Sequence, residues 1–235
     1  MSASSTSNNK CIIPIGTTYL RIFEDLNDEN DDEEVEDNVG RLIWPTSLPM
    51  MTHINQEISP LCSKDTIVVE LGSGCGLLGM GLAILHKFEK VIITDHDYEW
   101  LQRNLDLNSN EIGKEVIAMR LEWGNESEVD TVSKMIHQAC HSRDSNVLVL
   151  ASDVLYNHES HENLVYTLYK LSSLEISTRI LIGFLTDRDN DEASFLVFAR
   201  NVFGDTFPSA KSIFLDRKGK DKSRQIELHL IDFVV

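Results

Sequence analysis

From residue 66 onward the chain alternates short β-branched apolar runs with longer segments whose apolar residues recur every three to four positions. The runs predict strands and the longer segments predict helices: strand 66–71 with helix 77–88, strand 91–94 with helix 98–108, and strand 116–121 with helix 129–140. Strand 147–151 with helix 162–174 and strand 179–185 with helix 192–203 continue the series, and strands 212–215 and 225–235 close it. Five β–α units and a final β pair predict an α/β domain: a doubly wound, mostly parallel seven-stranded sheet with helices on both faces. No internal repeat interrupts the pattern.

Upstream the pattern is weaker. Residues 12–15 and 17–23 read as short extended segments, a hairpin turning at Gly16, and polar residues 1–10 are expected to lack fixed structure. Order resumes at Gly40, where Pro45 suits the first turn of a helix carrying Leu48, Met51 and Ile54, although Pro49 interrupts it. The expected organisation is an extension over 1–39 and one domain over 40–235, a size that supports a sizeable core.

The net charge of −17 changes the picture only locally. Residues 24–37 hold ten carboxylates and no base; without them 28 acids face 21 bases. The stretch reads as a solvated acidic loop, ahead of a docking site for a protein with a basic surface, and it disfavours nucleic acid. Cys11, Cys62, Cys75 and Cys140 have no paired spacing and read as reduced thiols. With no apolar leader at the N-terminus and no run near the ~20 residues that span a bilayer, the expectation is a soluble monomer without membrane contact, cytoplasmic or also nuclear.

In an open parallel sheet, ligands bind beyond the carboxyl ends of the strands. The first predicted strand ends on Glu70 and Leu71, and Gly72, Ser73, Gly74, Cys75 and Gly76 follow, with glycine at every second position. A dinucleotide fingerprint needs its third glycine where Leu77 stands, so the turn points to a different cofactor. Asp95 follows the second strand about 20 residues on, where an acid commonly accepts ribose hydroxyls; Asp95 and Asp97 also both suit a helix N-cap. Trp123 and Gly124 follow the third strand, where the indole could meet a purine or simply pack in the core. Ser152, Asp153 and Tyr156 follow the fourth, and Thr186, Asp187 and Arg188 the fifth.

The glycine turn resembles the first motif of the seven-stranded S-adenosylmethionine-dependent methyltransferases, in which the leading acid, here Glu70, helps hold the methionyl end. The ordered set Trp44-Pro45, Glu70 to Gly76, Thr94-Asp95, Leu121-Glu122-Trp123-Gly124 and Asp153-Val154-Leu155-Tyr156 is similar to the protein-lysine methyltransferases with a D-x-x-Y motif, the methyltransferase-like 21 group. The resemblance spans residues 40–205 and implies a Rossmann-like class I fold. It further implies that Trp44, Gly72, Ser73, Gly74, Asp95, Trp123 and Ser152 line an S-adenosylmethionine pocket, with Asp153 and Tyr156 on the acceptor side. Ser152 stands where that group often has alanine, and the acidic stretch is outside the shared pattern.

Other candidates carry less. His137 and His141 at i, i+4 lack a third ligand, so no metal site is expected. His158 and His161 either line the mouth of the D-x-x-Y site or sit on the surface. No G-x-S-x-G or phosphate-loop motif is present. The expected activity is methyl transfer to a protein lysine; methylation of histidine or a small molecule, and a non-catalytic cofactor- or partner-binding module, remain the alternatives.

Overall fold

The computed structural model describes residues 8–25, 40–142, 144–185, 192–204, 207, 211–214 and 227–235. Strand β1 (Asn8–Ile15) pairs antiparallel with β2 (Thr18–Asp25) across a turn at Gly16, whose φ of +57° suits glycine. Residues 8–10 are therefore paired backbone, contrary to the sequence expectation, because the hairpin register carries them opposite Asp25, Glu24 and Phe23. Helix α1 (Ser47–His53) follows, and a π turn and a 3-10 turn extend it to Leu61. Pro49 does not break it: it occupies the first turn, where the missing N–H has no intrahelical acceptor to lose.

The predicted alternation then appears as β3 (Thr66–Leu71), α2 (Leu77–Leu85), β4 (Lys90–Asp95), α3 (Tyr98–Leu107), β5 (Val116–Arg120), α4 (Glu126–Ala139), β6 (Asn146–Ser152), α5 (His161–Ser172), β7 (Thr178–Leu185), α6 (Glu192–Phe203), β8 (Lys211–Phe214) and β9 (Glu227–Val234). The seven strands run in the order β5-β4-β3-β6-β7-β9-β8. Strands β3 to β7 are parallel, while β9 lies antiparallel between β7 and β8.

Strand residues alternate between two cores. Val68, Val91, Ile93, Leu148 and Leu150 face α1, α2, α3 and the hairpin, whereas Ile67, Val69, Ile92, Val147 and Val149 face α4, α5 and α6. The hairpin is built into the first core through Leu20 and Ile22, both fully buried. Its β2 edge meets two asparagines, Asn104 of α3 and Asn108 at the C-cap of that helix, instead of another strand. Arg21 N–H donates to Asn108 Oδ1 (2.8 Å) and Asn108 Nδ2 donates to Arg21 O (2.7 Å); Asn104 makes the same pair with Phe23 (2.8 and 3.3 Å).

Residues 26–37 of the acidic stretch lie outside the described residues, but its first two members do not behave as solvated loop. Glu24 accepts from Ile43 N–H at 2.8 Å and from Cys11 Sγ, and Asp25 is buried beside Arg41. Pairing offsets their burial. Among the described residues no helix is long and apolar enough to cross a membrane.

Candidate cofactor and acceptor site

From β3 the chain winds outward through β4 and β5 and returns to β6 on the other side of β3. The crevice at this reversal lies between the carboxyl ends of β3 and β6, so the glycine turn and Asp153 come from neighbouring strands.

Gly72, Gly74 and Gly76 all have positive φ (62°, 53° and 79°). A Cβ at Gly72 would stand 2.8 Å from Trp123 Cζ2, and one at Gly74 would stand 2.7 Å from Gly40 O. The segment entering at Gly40 thus lies across the turn. Ser73 ties the turn to β4: its N–H donates to Thr94 O (2.8 Å) and its Oγ accepts from Thr94 N–H (3.0 Å).

Glu70 is almost wholly buried, and its Oε2 accepts from Gly79 N–H at 2.9 Å. Gly79 is the third residue of α2, so a carboxyl from β3 satisfies an N–H that has no partner within the helix. Burial pushes the Glu70 carboxyl up to about 8, against the lowering effect of that hydrogen bond. Its service to α2 was not visible in the sequence, which suggested only a ligand-facing acid.

Asp95 accepts from Gly74 N–H at Oδ2 (2.8 Å) and from Asp97 N–H at Oδ1 (2.9 Å), and His96 Nδ1 lies 3.1 Å from Oδ1. Hydrogen bonding to Asp95 raises the His96 pKa. Asp97, not Asp95, is the N-cap of α3, accepting from Trp100 N–H. Arg41 bridges Asp97 (2.8 Å) and Asp25 (3.4 Å), fixing the segment that crosses the glycine turn.

On the other side, Asp153 has φ +58°, a left-handed conformation uncommon outside glycine, and its N–H donates to Gly183 O. Its Oδ2 accepts from Thr46 N–H at 3.2 Å. That contact exists because α1 presses on β7 at Gly183, where a Cβ would meet Met50 Sδ at 2.8 Å and Thr46 Cγ2 at 3.3 Å. Tyr156 lies parallel to Trp44, with ring centroids 6.2 Å apart and planes 7° from coplanar. Burial, then the negative field of Asp95, raises the Tyr156 phenol, which stays protonated at neutral pH.

One cavity of about 240 Å³ is lined by all ten residues singled out from the sequence: Trp44, Glu70, Gly72, Ser73, Gly74, Asp95, Trp123, Ser152, Asp153 and Tyr156. Sequence reasoning missed Gly40, Leu42, Ile43 and His96, which also line it; their only signal was proximity in sequence to Trp44 and Asp95. Thr186, Asp187 and Arg188 lie outside the described residues. His161 is neither at the mouth nor on the surface. It is fully buried, with Nε2 3.3 Å from Leu155 O and its ring edge-on to Phe195, so it supports the 153–156 segment from behind. His141 lies beyond the end of α4 and meets Glu89 instead of sharing a helix face with His137. No cluster of three or more metal-ligating side chains occurs among the described residues.

A family model described as lysine methyltransferase matches residues 26–201. The chain belongs to that family. Within it, the chain is 33% identical over 141 residues to the protein-lysine N-methyltransferase EFM6 of Saccharomyces cerevisiae, covering 57% of this chain and 55% of that protein. It is 27% identical to the protein N-lysine methyltransferase METTL21A of Xenopus tropicalis, covering 65% of each. The chain thus spans little more than half the length of the yeast relative. Among solved structures, the fold is similar to that of SMU.776, described as a methyltransferase complexed with S-adenosylhomocysteine. The TM-score is 0.56 at 9% identity, covering 99% of this chain and 57% of that one. A seven-stranded class I methyltransferase fold thus underlies the lysine methyltransferase sequence.

Proposed function

We propose that this lysine methyltransferase family member transfers a methyl group from S-adenosylmethionine to a lysine side chain of a protein. The observation that carries the reading is the convergence of the glycine turn, Asp95, Asp153 and Tyr156 on one cavity at the strand-order reversal. The naming of EFM6 and METTL21A as lysine methyltransferases supports it.

The residues present fit the cofactor. The positive-φ glycine turn, with Trp123 and Gly40 closed against it, walls the cavity, and Asp95 Oδ2, which accepts from Gly74 N–H, has a second lone pair for a ribose hydroxyl. S-adenosylmethionine, when bound, supplies a methyl on a sulfonium: nitrogen bonds to the methyl carbon as the carbon–sulfur bond breaks, its electron pair staying on sulfur. The chain's task is to align the amine and exclude water. A free lysine of pKa ~10.4 is only about 0.1% neutral near pH 7.4, so a proton must also leave. The Asp153 carboxylate holds the incoming ammonium; because a negative neighbour raises a lysine's pKa, it favours binding over deprotonation, and water takes the proton. Tyr156, a protonated phenol, and Trp44 wall the channel.

The acidic stretch ends just before Gly40, itself in the cavity wall, which favours a substrate with a basic surface. The four thiols suit a reducing compartment, cytoplasm or nucleus. Labelled-methyl transfer into a lysate, with mass spectrometry of the modified protein, tests the reading. Label on lysine is expected; label on histidine, or cofactor binding without any labelled protein, overturns it.

A further inference from the structure

Ser152 lines the cavity, is only 9% exposed, and its Oγ meets no hydrogen-bond partner among the described residues. A buried hydroxyl in that position has lost water without gaining a partner, a state proteins seldom keep unless a ligand completes it. Its direction follows from the backbone. Along a regular strand, successive side chains face opposite sides, so Ser152 and Asp153 would diverge. The left-handed turn at Asp153 breaks that alternation, and both residues line the same cavity.

Register narrows what the hydroxyl meets. Leu71 pairs with Ala151, so Ser152 lies one step on, level with Gly72; its partner on β7 is Gly183. Ser152 therefore stands between the glycine turn, which faces the cofactor, and Asp153, which faces the acceptor. The cofactor's ribose side belongs to Asp95 across the turn, on β4. Ser152 thus borders the acceptor residue Asp153 in the chain and the glycine turn across the sheet.

We propose that Ser152 Oγ accepts a hydrogen bond from the acceptor amine and thereby limits how many methyl groups one lysine receives. This rests on the lysine methyltransferase reading above. A neutral primary amine with its lone pair toward the methyl carbon has two N–H bonds to place. Asp153 takes one and Ser152 the other. After one transfer and loss of a proton, the product amine has a single N–H. A second transfer must then point the new methyl at a carboxylate or a hydroxyl, leaving that group buried without its hydrogen bond. Alanine at 152 removes the oxygen and leaves room for the methyl.

The test compares the full-length wild type with Ser152→Ala and Ser152→Thr, the latter keeping a hydroxyl. Calorimetry gives the S-adenosylmethionine dissociation constant, and hydrolysis of labelled lysate protein gives the ratio of di- and trimethyllysine to monomethyllysine. Mostly monomethyllysine is expected from the wild type and from Ser152→Thr. Ser152→Ala should raise the ratio about tenfold, with the dissociation constant changed by no more than about twofold. An unchanged ratio in Ser152→Ala, or wild-type product already mainly trimethylated, overturns the assignment. So does a tenfold loss of cofactor affinity with the ratio unmoved, which would give the hydroxyl to the cofactor. A wild type that binds cofactor but labels no lysine fails one step earlier and overturns the function itself.

Discussion

Asp153 serves two masters: one carboxylate oxygen accepts from Thr46 N–H and anchors the start of α1, while the residue faces the cavity. Alanine would confound the two roles, whereas asparagine keeps an acceptor for Thr46 and removes only the charge. Asp153→Asn should lower methyl transfer to lysate protein by about a hundredfold or more, with cofactor affinity within about threefold of wild type. Parallel loss of both would move Asp153 to the cofactor side. Asp95 predicts the converse. Asp95→Asn keeps an oxygen for Gly74 N–H but loses the charge and half the acceptor capacity, so the cofactor dissociation constant should rise about tenfold or more. An unchanged constant in a calorimetric titration would end the ribose assignment. Both acids were legible in the sequence because each stands at the carboxyl end of a strand. The left-handed backbone at Asp153 was not, because its φ depends on how the chain leaves β6 beneath α1.

At the level of elements, the hairpin shows where periodicity fails. Asn104 in α3 and Asn108 at its C-cap stand at i, i+4 and read as an ordinary polar face, yet both are fully buried. Their carboxamides stand in for a neighbouring strand by pairing with the backbone of Phe23 and Arg21. A β-edge can be completed by any group that offers a donor and an acceptor at the right spacing. Replacing either asparagine by alanine strands one N–H and one C=O of β2 and should cost about 1–3 kcal/mol per site, read as a lower midpoint in urea unfolding. Losses below a few tenths of a kcal/mol would mean that these carboxamide pairs contribute nothing to the fold's stability. The same packing explains why Glu24 and Asp25 could not be separated by composition from the acids after them: only β2 pairing and Arg41 distinguish them.

Across the whole molecule, the sheet was legible because its parallel strands are buried on both faces and write continuous apolar runs, separated by helices of a different period. What stayed hidden was the chemistry that burial imposes. Glu70 appeared as an acid in front of a glycine turn, but between β3 and α2 its carboxyl is pushed up to about 8 from an ordinary 4.5. Between those values the folded chain holds a proton that the unfolded chain has released, so stability rises where protons are plentiful. The contribution of the protonated carboxyl is complete below about 4.5 and is lost as pH climbs to about 8. Other groups titrate over the same range, and a comparison isolates this one. Glu70→Gln keeps a carbonyl oxygen for Gly79 N–H and carries no charge at any pH. In thermal unfolding of the ligand-free chain from pH 5 to 8.5, the wild type should lose ground steadily against Glu70→Gln. A constant difference would mean that Glu70 is already ionised in the folded state, and that the N-terminal end of α2 stabilises an anion strongly enough to outweigh its burial.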